Sequence, residues 1–145
     1  MLDDGCEEHR ALTLLLLARI IHAPPLGLAI RMPVGPRARG IADRLCRALR
    51  PGGMDTATLA ELTRGLGVSA RTAERLFAKE TGMPFGRWRQ QARLQFAVRR
   101  LAEAVPVGAV SLECGYDSVS AFVTMFKRSL GTTPSRYCSA SIVRN

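Results

Sequence analysis

The stretch Gly115-Tyr-Asp-Ser-Val-Ser-Ala-Phe-Val-Thr-Met-Phe-Lys-Arg-Ser-Leu-Gly-Thr-Thr-Pro-Ser-Arg-Tyr137 decides how this chain folds. It reads as a tight turn, a short helix with its own start and stop signals, and a closing turn. Gly115 tolerates the positive φ that ends a preceding helix, and Asp117 or Ser118 offers a side-chain oxygen to cap the next one. Ala121, Phe122, Met125 and Phe126 recur at i, i+1, i+4 and i+5, which predicts one buried helical stripe. The other side, Val119, Ser120, Val123, Thr124, Lys127 and Arg128, stays small until its two cations. Gly131 stops the helix and Pro134 forbids its return. A helix of this size, with a small outward face ending in positive charge, suits insertion into a DNA major groove.

The same layout occurs once before. Gly67-Val-Ser-Ala-Arg-Thr-Ala-Glu-Arg-Leu-Phe-Ala-Lys-Glu-Thr-Gly82 runs turn, cap, helix and stop, and Phe85-Gly-Arg-Trp88 follows it. Phe77, Gly82, Arg87 and Trp88 each sit 49 residues before Phe126, Gly131, Arg136 and Tyr137. Short helical segments, Thr58 to Leu66 and Val107 to Cys114, precede the two copies. The pattern predicts two helix-turn-helix units in tandem. A helix bundle with a chance repeat is the plainer alternative.

These residues resemble the AraC/XylS-type bacterial transcription regulators over about residues 37 to 140. The resemblance rests on Leu59-Ala-Glu-Leu62 before Gly67-Val-Ser69, then Arg75-Leu-Phe77, Lys79-Glu-Thr-Gly82, Ala92-Arg-Leu94 and Ala97. It continues through Cys114-Gly-Tyr116, Phe122, Phe126-Lys-Arg128, Gly131 and Thr133-Pro-Ser-Arg-Tyr137. It implies a bilobed all-α domain whose two recognition helices enter successive major-groove segments on one DNA face. Thr63 and Ser111 stand where the family usually has Ala, and their hydroxyls are expected to bond back to an i−4 carbonyl. Ala73 stands where a larger apolar residue is usual.

In the first unit, Arg71, Glu74 and Arg75 match positions that the family points at bases, and Ser69, Thr72 and Lys79 complete its DNA-facing set. Arg75 has the reach to bridge guanine O6 and N7, while Glu74 either accepts from cytosine N4 or pairs with Arg71. In the second unit the set is Ser118, Val119, Ser120, Val123, Thr124, Lys127 and Arg128. Its base-facing members touch thymine methyls but offer few bidentate contacts, so the first unit is expected to read sequence more stringently. Tandem recognition helices on one face of B-DNA lie one helical turn, about 34 Å, apart. For every cation in these sets the competing reading is a solvated helix face.

Charge agrees with a polyanionic partner. Residues 1–36 hold three Arg against four Asp or Glu, whereas residues 37–145 hold eighteen Lys or Arg against eight Asp or Glu, within a chain of net charge +9. Basic charge alone is weak evidence, and it gains weight from the tandem motif. The four cysteines, at 6, 46, 114 and 138, include no Cys-x-x-Cys pair, and the only histidines, His9 and His22, do not complete a four-ligand set with them. No metal, cofactor or disulfide framework is expected, and a reducing cytoplasm fits best. Cys114 is expected to pack as a small apolar residue. An enzyme reading, by analogy with DNA-repair methyl acceptors that carry a similar domain beside a zinc-bound cysteine, fails for want of four zinc ligands.

The N-terminal acids Asp3, Asp4, Glu7 and Glu8 argue against a secretory signal. Ala11 to Ile21 is apolar nearly all round but too short to span a bilayer. Residues 1–36 are therefore expected to be the remnant or end of an upstream domain or to pack on the DNA-binding domain, with residues 9–23 forming a helix that either packs within the chain or mediates a homodimer. A second functional reading makes the chain a truncated regulator that titrates protein partners through that helix. Residues 24–36, with Pro24, Pro25, Pro33 and Pro36, read as an extended linker in which Leu26, Leu28, Ile30 and Met32 alternate inward, as in a short strand. The DNA-binding domain then spans 37–140, before a tail of 141–145. Its first helix, about Arg37 to Leu49, should bury Ile41, Leu45, Cys46 and Leu49 and wet Arg37, Arg44, Arg47 and Arg50. Asp55 or Thr56 should cap the next segment. The joining helix, about Phe85 to Ala104, carries two apolar flanks and an arginine row in which Arg89, Arg93 and Arg100 fall within about 40° of one another. That row faces either phosphates or acidic side chains of the lobes; the resemblance gives Arg93 a structural role. The chain as a whole is read as a sequence-specific activator of transcription acting on double-stranded DNA and RNA polymerase.

Overall fold

The computed structural model describes residues 28–142, and among them every regular element is a helix. The expected helix over residues 9–23 lies outside this span. The helices are α1 (Pro36–Ala48), α2 (Leu59–Thr63), α3 (Ala70–Thr81), α4 (Phe85–Ala102), α5 (Val107–Glu113), α6 (Val119–Leu130) and α7 (Pro134–Ile142). Helices α1, α2 and α3 pack on one another as a first lobe, and α5, α6 and α7 follow α4 as a second. Helix α4 touches α3 at one end and α5 and α7 at the other, so it is the rod between the lobes.

Local chemistry sets the helix ends. Ser69 Oγ accepts the Thr72 N–H at the start of α3, and Ser118 Oγ accepts the Ala121 N–H at the start of α6. Gly82 and Gly131 close the same two helices in the left-handed conformation, at φ 81° and 72°. Helix α2 is capped by neither Asp55 nor Thr56. Thr58 Oγ1 accepts the Glu61 N–H while the Glu61 carboxylate takes the Thr58 N–H at 2.7 Å, a reciprocal capping box. These bonds, chiefly the one from the Thr58 backbone, hold the Glu61 carboxyl below its usual range.

Aromatic side chains fill each lobe. In the first, Phe77 meets Phe85 and Trp88 edge-on at 5.0 and 5.1 Å between centroids, all three buried. In the second, Phe122 packs between Tyr116 and Phe126, and Phe126 meets Tyr137 edge-on at 5.7 Å. Edge-to-face geometry adds to the area these rings bury.

Four details differ from the sequence expectation. Cys46 is exposed; Ala38 and Ala42 instead join Ile41, Leu45 and Leu49 in the buried set of α1 and the turn after it. Arg44 is not simply solvated, because its Nη1 donates to the Leu62 and Arg64 carbonyls at 2.8 and 2.7 Å. A five-residue helix leaves most of its carbonyls unpaired, and a guanidinium satisfies two of those around its C-terminus. In α6, Ala121 is exposed and Met125 half-buried, so the buried stripe narrows to Phe122 and Phe126. The hydroxyls of Thr63 and Ser111 do bond back, but to the i−3 carbonyls of Ala60 and Gly108.

Residues 28–35 form an irregular strap rather than a strand. From residue 28 on the expected alternation holds: Leu28 is buried and Ile30 and Met32 pack on the core, while Ala29 and Arg31 face out; Leu26 lies outside the described residues. Three hydrogen bonds fasten it to the first lobe. Trp88 Nε1 donates to the Arg31 carbonyl at 2.9 Å, and Glu80 Oε2 accepts the Val34 and Gly35 N–H groups at 2.9 and 2.7 Å.

Candidate nucleic-acid interface

Helices α3 and α6 each bury one stripe and leave the opposite side in solvent. On α3, Arg71, Arg75 and Lys79 are exposed and form no ion pair within the described residues. Ser69 and Thr72 lie at its N-terminus with their hydroxyls 3.0 Å apart. Glu74 is half-buried, and its Oε2 accepts the Phe85 N–H at 2.9 Å. That carboxylate caps the N-terminus of α4, where the sequence offers only Pro84 at the cap position. This bond engages Oε2 of Glu74, and no ion pair joins Glu74 to Arg71 among the described residues. On α6, Ser118, Val119, Ser120, Thr124, Lys127 and Arg128 are exposed and Val123 is half-buried. Val119 keeps 45% of its surface in solvent at the first turn of the helix. Thr124 Oγ1 donates back to the Ser120 carbonyl at 2.9 Å.

What holds the two faces in one arrangement is a buried cluster that centres on Asp55, which is 0% exposed. Asp55 belongs to the loop between α1 and α2. Its carboxylate receives Arg89 Nη2 on Oδ1 at 2.7 Å and both Arg89 Nε and Arg93 Nε on Oδ2, at 2.8 and 2.7 Å. Arg89 and Arg93 are one helical turn apart on α4, so both reach the same carboxylate. Arg93 Nη2 also donates to the Asp55 carbonyl at 2.7 Å. The Asp55 N–H in turn donates to the Glu113 carbonyl at the end of α5, at 3.2 Å. Glu113 binds the Gly52 N–H and both Nε and Nη2 of Arg100. The Arg100 hydrogen bonds hold the Glu113 carboxyl below its usual range. Thus a loop of the first lobe, the central rod and the second helix-turn-helix unit meet through one network of charge-assisted hydrogen bonds.

The turn before α6 is fitted against this cluster. Gly115 sits at φ 74°, and a Cβ there would lie 1.9 Å from the Asp55 carbonyl oxygen. The Arg93 guanidinium lies over the Tyr116 ring at 5.3 Å. Cys114 Sγ faces the Arg93 carbonyl at 3.6 Å, and burial pushes its thiol up to about 12, so it behaves as a packed apolar group. The arginine row therefore pairs with acids of the lobes. Asp55, the centre of the network, is the residue that sequence reasoning assigned to a helix cap.

A family model described as a helix-turn-helix domain matches residues 62–140. The chain is 34% identical over 128 residues to the HTH-type transcriptional regulator NimR of Escherichia coli, covering 88% of this chain and 45% of NimR. The chain belongs to the AraC-type transcription regulators. The AraC-type regulator is also 32% identical over 122 residues to the HTH-type regulator RipA of Corynebacterium glutamicum, covering 84% of this chain and 34% of RipA. It thus spans less than half the length of these relatives. Among solved structures it is similar in fold to an AraC-type regulator from Chromobacterium violaceum, with a TM-score of 0.62 at 19% identity over 73% of this chain and 92% of that one. The C-terminal domain of AraT from Geobacillus stearothermophilus gives a TM-score of 0.64 at 23% identity over 73% of this chain and 86% of that one. CdpR of Pseudomonas aeruginosa gives 0.59 at 26% identity, with 72% of this chain and 32% of that one covered. This family comprises DNA-binding regulators of transcription rather than a class of enzymes. Among the described residues no helix is long and apolar enough to cross a membrane.

Proposed function

We propose that this AraC-type regulator binds double-stranded DNA sequence-specifically, placing α3 and α6 in successive major-groove segments on one face of the duplex. The observation that carries the reading is the Asp55 network: it ties the first lobe, the rod and the second unit together while both helices keep their outward sides in solvent. Arg71 and Arg75 supply the more stringent contacts of the first helix, with Ser69, Thr72 and Lys79 toward the backbone. Ser118, Val119, Ser120, Val123 and Thr124 supply shape and methyl contacts in the second helix, with Lys127 and Arg128 toward phosphates. Glu74 acts indirectly, by capping α4. In the cytoplasm the bound protein activates transcription by touching RNA polymerase, and residues 9–23 pair two copies.

The test begins with a genomic fragment pool, from which bound DNA is selected and sequenced. A bipartite site with half-sites about one helical turn apart is expected, together with a steep fall in affinity with salt. A single short half-site, or binding indifferent to sequence, would overturn the two-groove reading. Run-off transcription on the selected site tests activation, and light scattering at micromolar concentration tests the dimer.

A further inference from the structure

The two acids of α3, Glu74 and Glu80, each reach out of the helix to cap another one. Glu74 Oε2 accepts the Phe85 N–H at the start of α4. Glu80 Oε2 accepts the Val34 and Gly35 N–H groups, at 2.9 and 2.7 Å, where the strap becomes α1. Neither α1 nor α4 is capped by its own N-cap side chain or has an acid in its first turn, so each recipient needs the carboxylate it receives. On the DNA-binding function proposed above, we infer that Glu80 is a positioning residue for recognition. Through the strap it fixes the rotation of α3 about its axis, and with it the aim of Arg71 and Arg75.

The helical geometry gives the reason. At 100° per residue, with Arg71 at zero, Arg75 and Lys79 stand at about 40° and 80°, Glu74 at about −60° and Glu80 at about 180°. The exposed row thus lies between two polar anchors, one on each flank, with the buried Ala73 and Phe77 behind it at about 200° and 240°. Apolar packing is non-directional, whereas charge-assisted hydrogen bonds have a direction, so the two carboxylates define the roll. Glu80 also stands in the last turn of α3, where the helix field disfavours negative charge, and the strap amides compensate it there. Gly35 is fitted to this contact, since a Cβ would lie 2.6 Å from Glu80 Oε1.

Helix α6 offers no acid at the matching positions. The residues 49 further on from Glu74 and Glu80 are Val123 and Ser129, and Ser129 donates to Met125 of its own helix. Loss of the Glu80 contact should therefore blur what α3 reads and leave α6 alone.

The experiment uses the full chain and measures affinity for every single-base variant of the selected site, by mobility shift at matched salt and well below each protein's Tm. Arg75→Ala marks the half-site that α3 reads. Glu80→Ala should lower discrimination within that half-site about threefold to tenfold and leave the other within about twofold. The lost charge raises affinity for all variants alike and cancels in these ratios. Glu80→Gln keeps an acceptor and should restore part of the discrimination. Gly35→Ala leaves α3 intact, and the backbone there, at φ −65° and ψ 139°, suits alanine. Its Cβ displaces the carboxylate, so it should reproduce the loss. Combined with Glu80→Ala it should add nothing, because the contact it disturbs is already gone. A parent protein without sequence preference overturns the function reading and this inference together. Given a two-part site in the parent, an unchanged α3 half-site in Glu80→Ala overturns the role of Glu80 alone. Equal losses in both half-sites do the same, since a general weakening of the fold gives that pattern. Additive losses in the double variant overturn the route through the strap.

Discussion

Replacing Gly115 by Ala isolates the contact that sets the two lobes. Two costs arise at this position. The backbone there has φ 74°, where an added Cβ costs about 1–2 kcal/mol. The Cβ would also lie 1.9 Å from the Asp55 carbonyl oxygen and 2.6 Å from its carbon, distances no side-chain rotation can relieve because both atoms are backbone. That carbonyl is itself fixed by Arg93 Nη2 at 2.7 Å. Relief therefore requires the loop carrying Asp55 to retreat, loosening the Arg89 and Arg93 pairs. Gly131 supplies the control, since its φ of 72° carries the same strain while nothing lies within 4 Å of an added Cβ. Gly131→Ala should cost about 1–2 kcal/mol. Gly115→Ala should cost about 4 kcal/mol or more, because strain adds to disruption of a buried ionic network. Urea unfolding followed by circular dichroism reads both, with the difference appearing in the midpoint rather than the slope. A domain of this size has about 5–15 kcal/mol to lose, so a Gly115→Ala protein with no cooperative transition would agree with the argument. Equal midpoints for the two variants would refute the tight docking of the second turn on Asp55.

Other outcomes follow from the same geometry. Asp55→Asn keeps one acceptor but withdraws the charge shared by Arg89 and Arg93, whose side chains are each 16% exposed; because water reaches them, a loss of about 2–3 kcal/mol in urea unfolding is expected. The Glu113 carboxyl titrates below its usual range in the folded protein, so its stabilisation is full above the ordinary carboxylate pKa and fades as pH falls through the lower folded value. Unfolding midpoints at pH 7 and pH 3 should accordingly differ less in Glu113→Gln than in the parent protein, and an unchanged difference would remove Glu113 from the acid response. Arg75→Ala should weaken the selected DNA site by about 1–3 kcal/mol while affecting random DNA less, as read by mobility shift at matched salt; equal losses on both would reassign Arg75 to a phosphate.

Much of the architecture is legible in the residues because local signals and the long-range repeat agree. Gly67, Ser69 and Gly82 mark the first recognition helix, and Gly115, Ser118 and Gly131 the second, each by a backbone requirement that few other residues meet. The Thr58-Leu-Ala-Glu61 capping box was equally visible, and Asp55 drew attention from it because acidic residues are good caps in isolation. What was hidden is tertiary. A lone Asp in a loop after Pro51-Gly-Gly53 gives no sign that two arginines from a helix more than thirty positions later converge on it. Likewise, helical periodicity places Arg44 in solvent, and the family resemblance puts Glu74 among the base-facing positions or beside Arg71, whereas the short α2 and the Pro84-led α4 each needed a polar partner at an end. Cys46 shows the opposite error: an apolar type on the flank of α1 that stays exposed while the smaller Ala38 and Ala42 are buried.

The strap carries a lesson for protein engineering. Because Trp88 holds the Arg31 carbonyl and Glu80 holds two successive amides, the first lobe grips the incoming polypeptide well ahead of its first helix. A foreign sensor grafted at residue 37 would strip an indole and a carboxylate of their partners, whereas a splice before residue 28 would leave the grip intact. Swapping modules among such regulators is thus governed by where the leash is knotted, not by where the helices start.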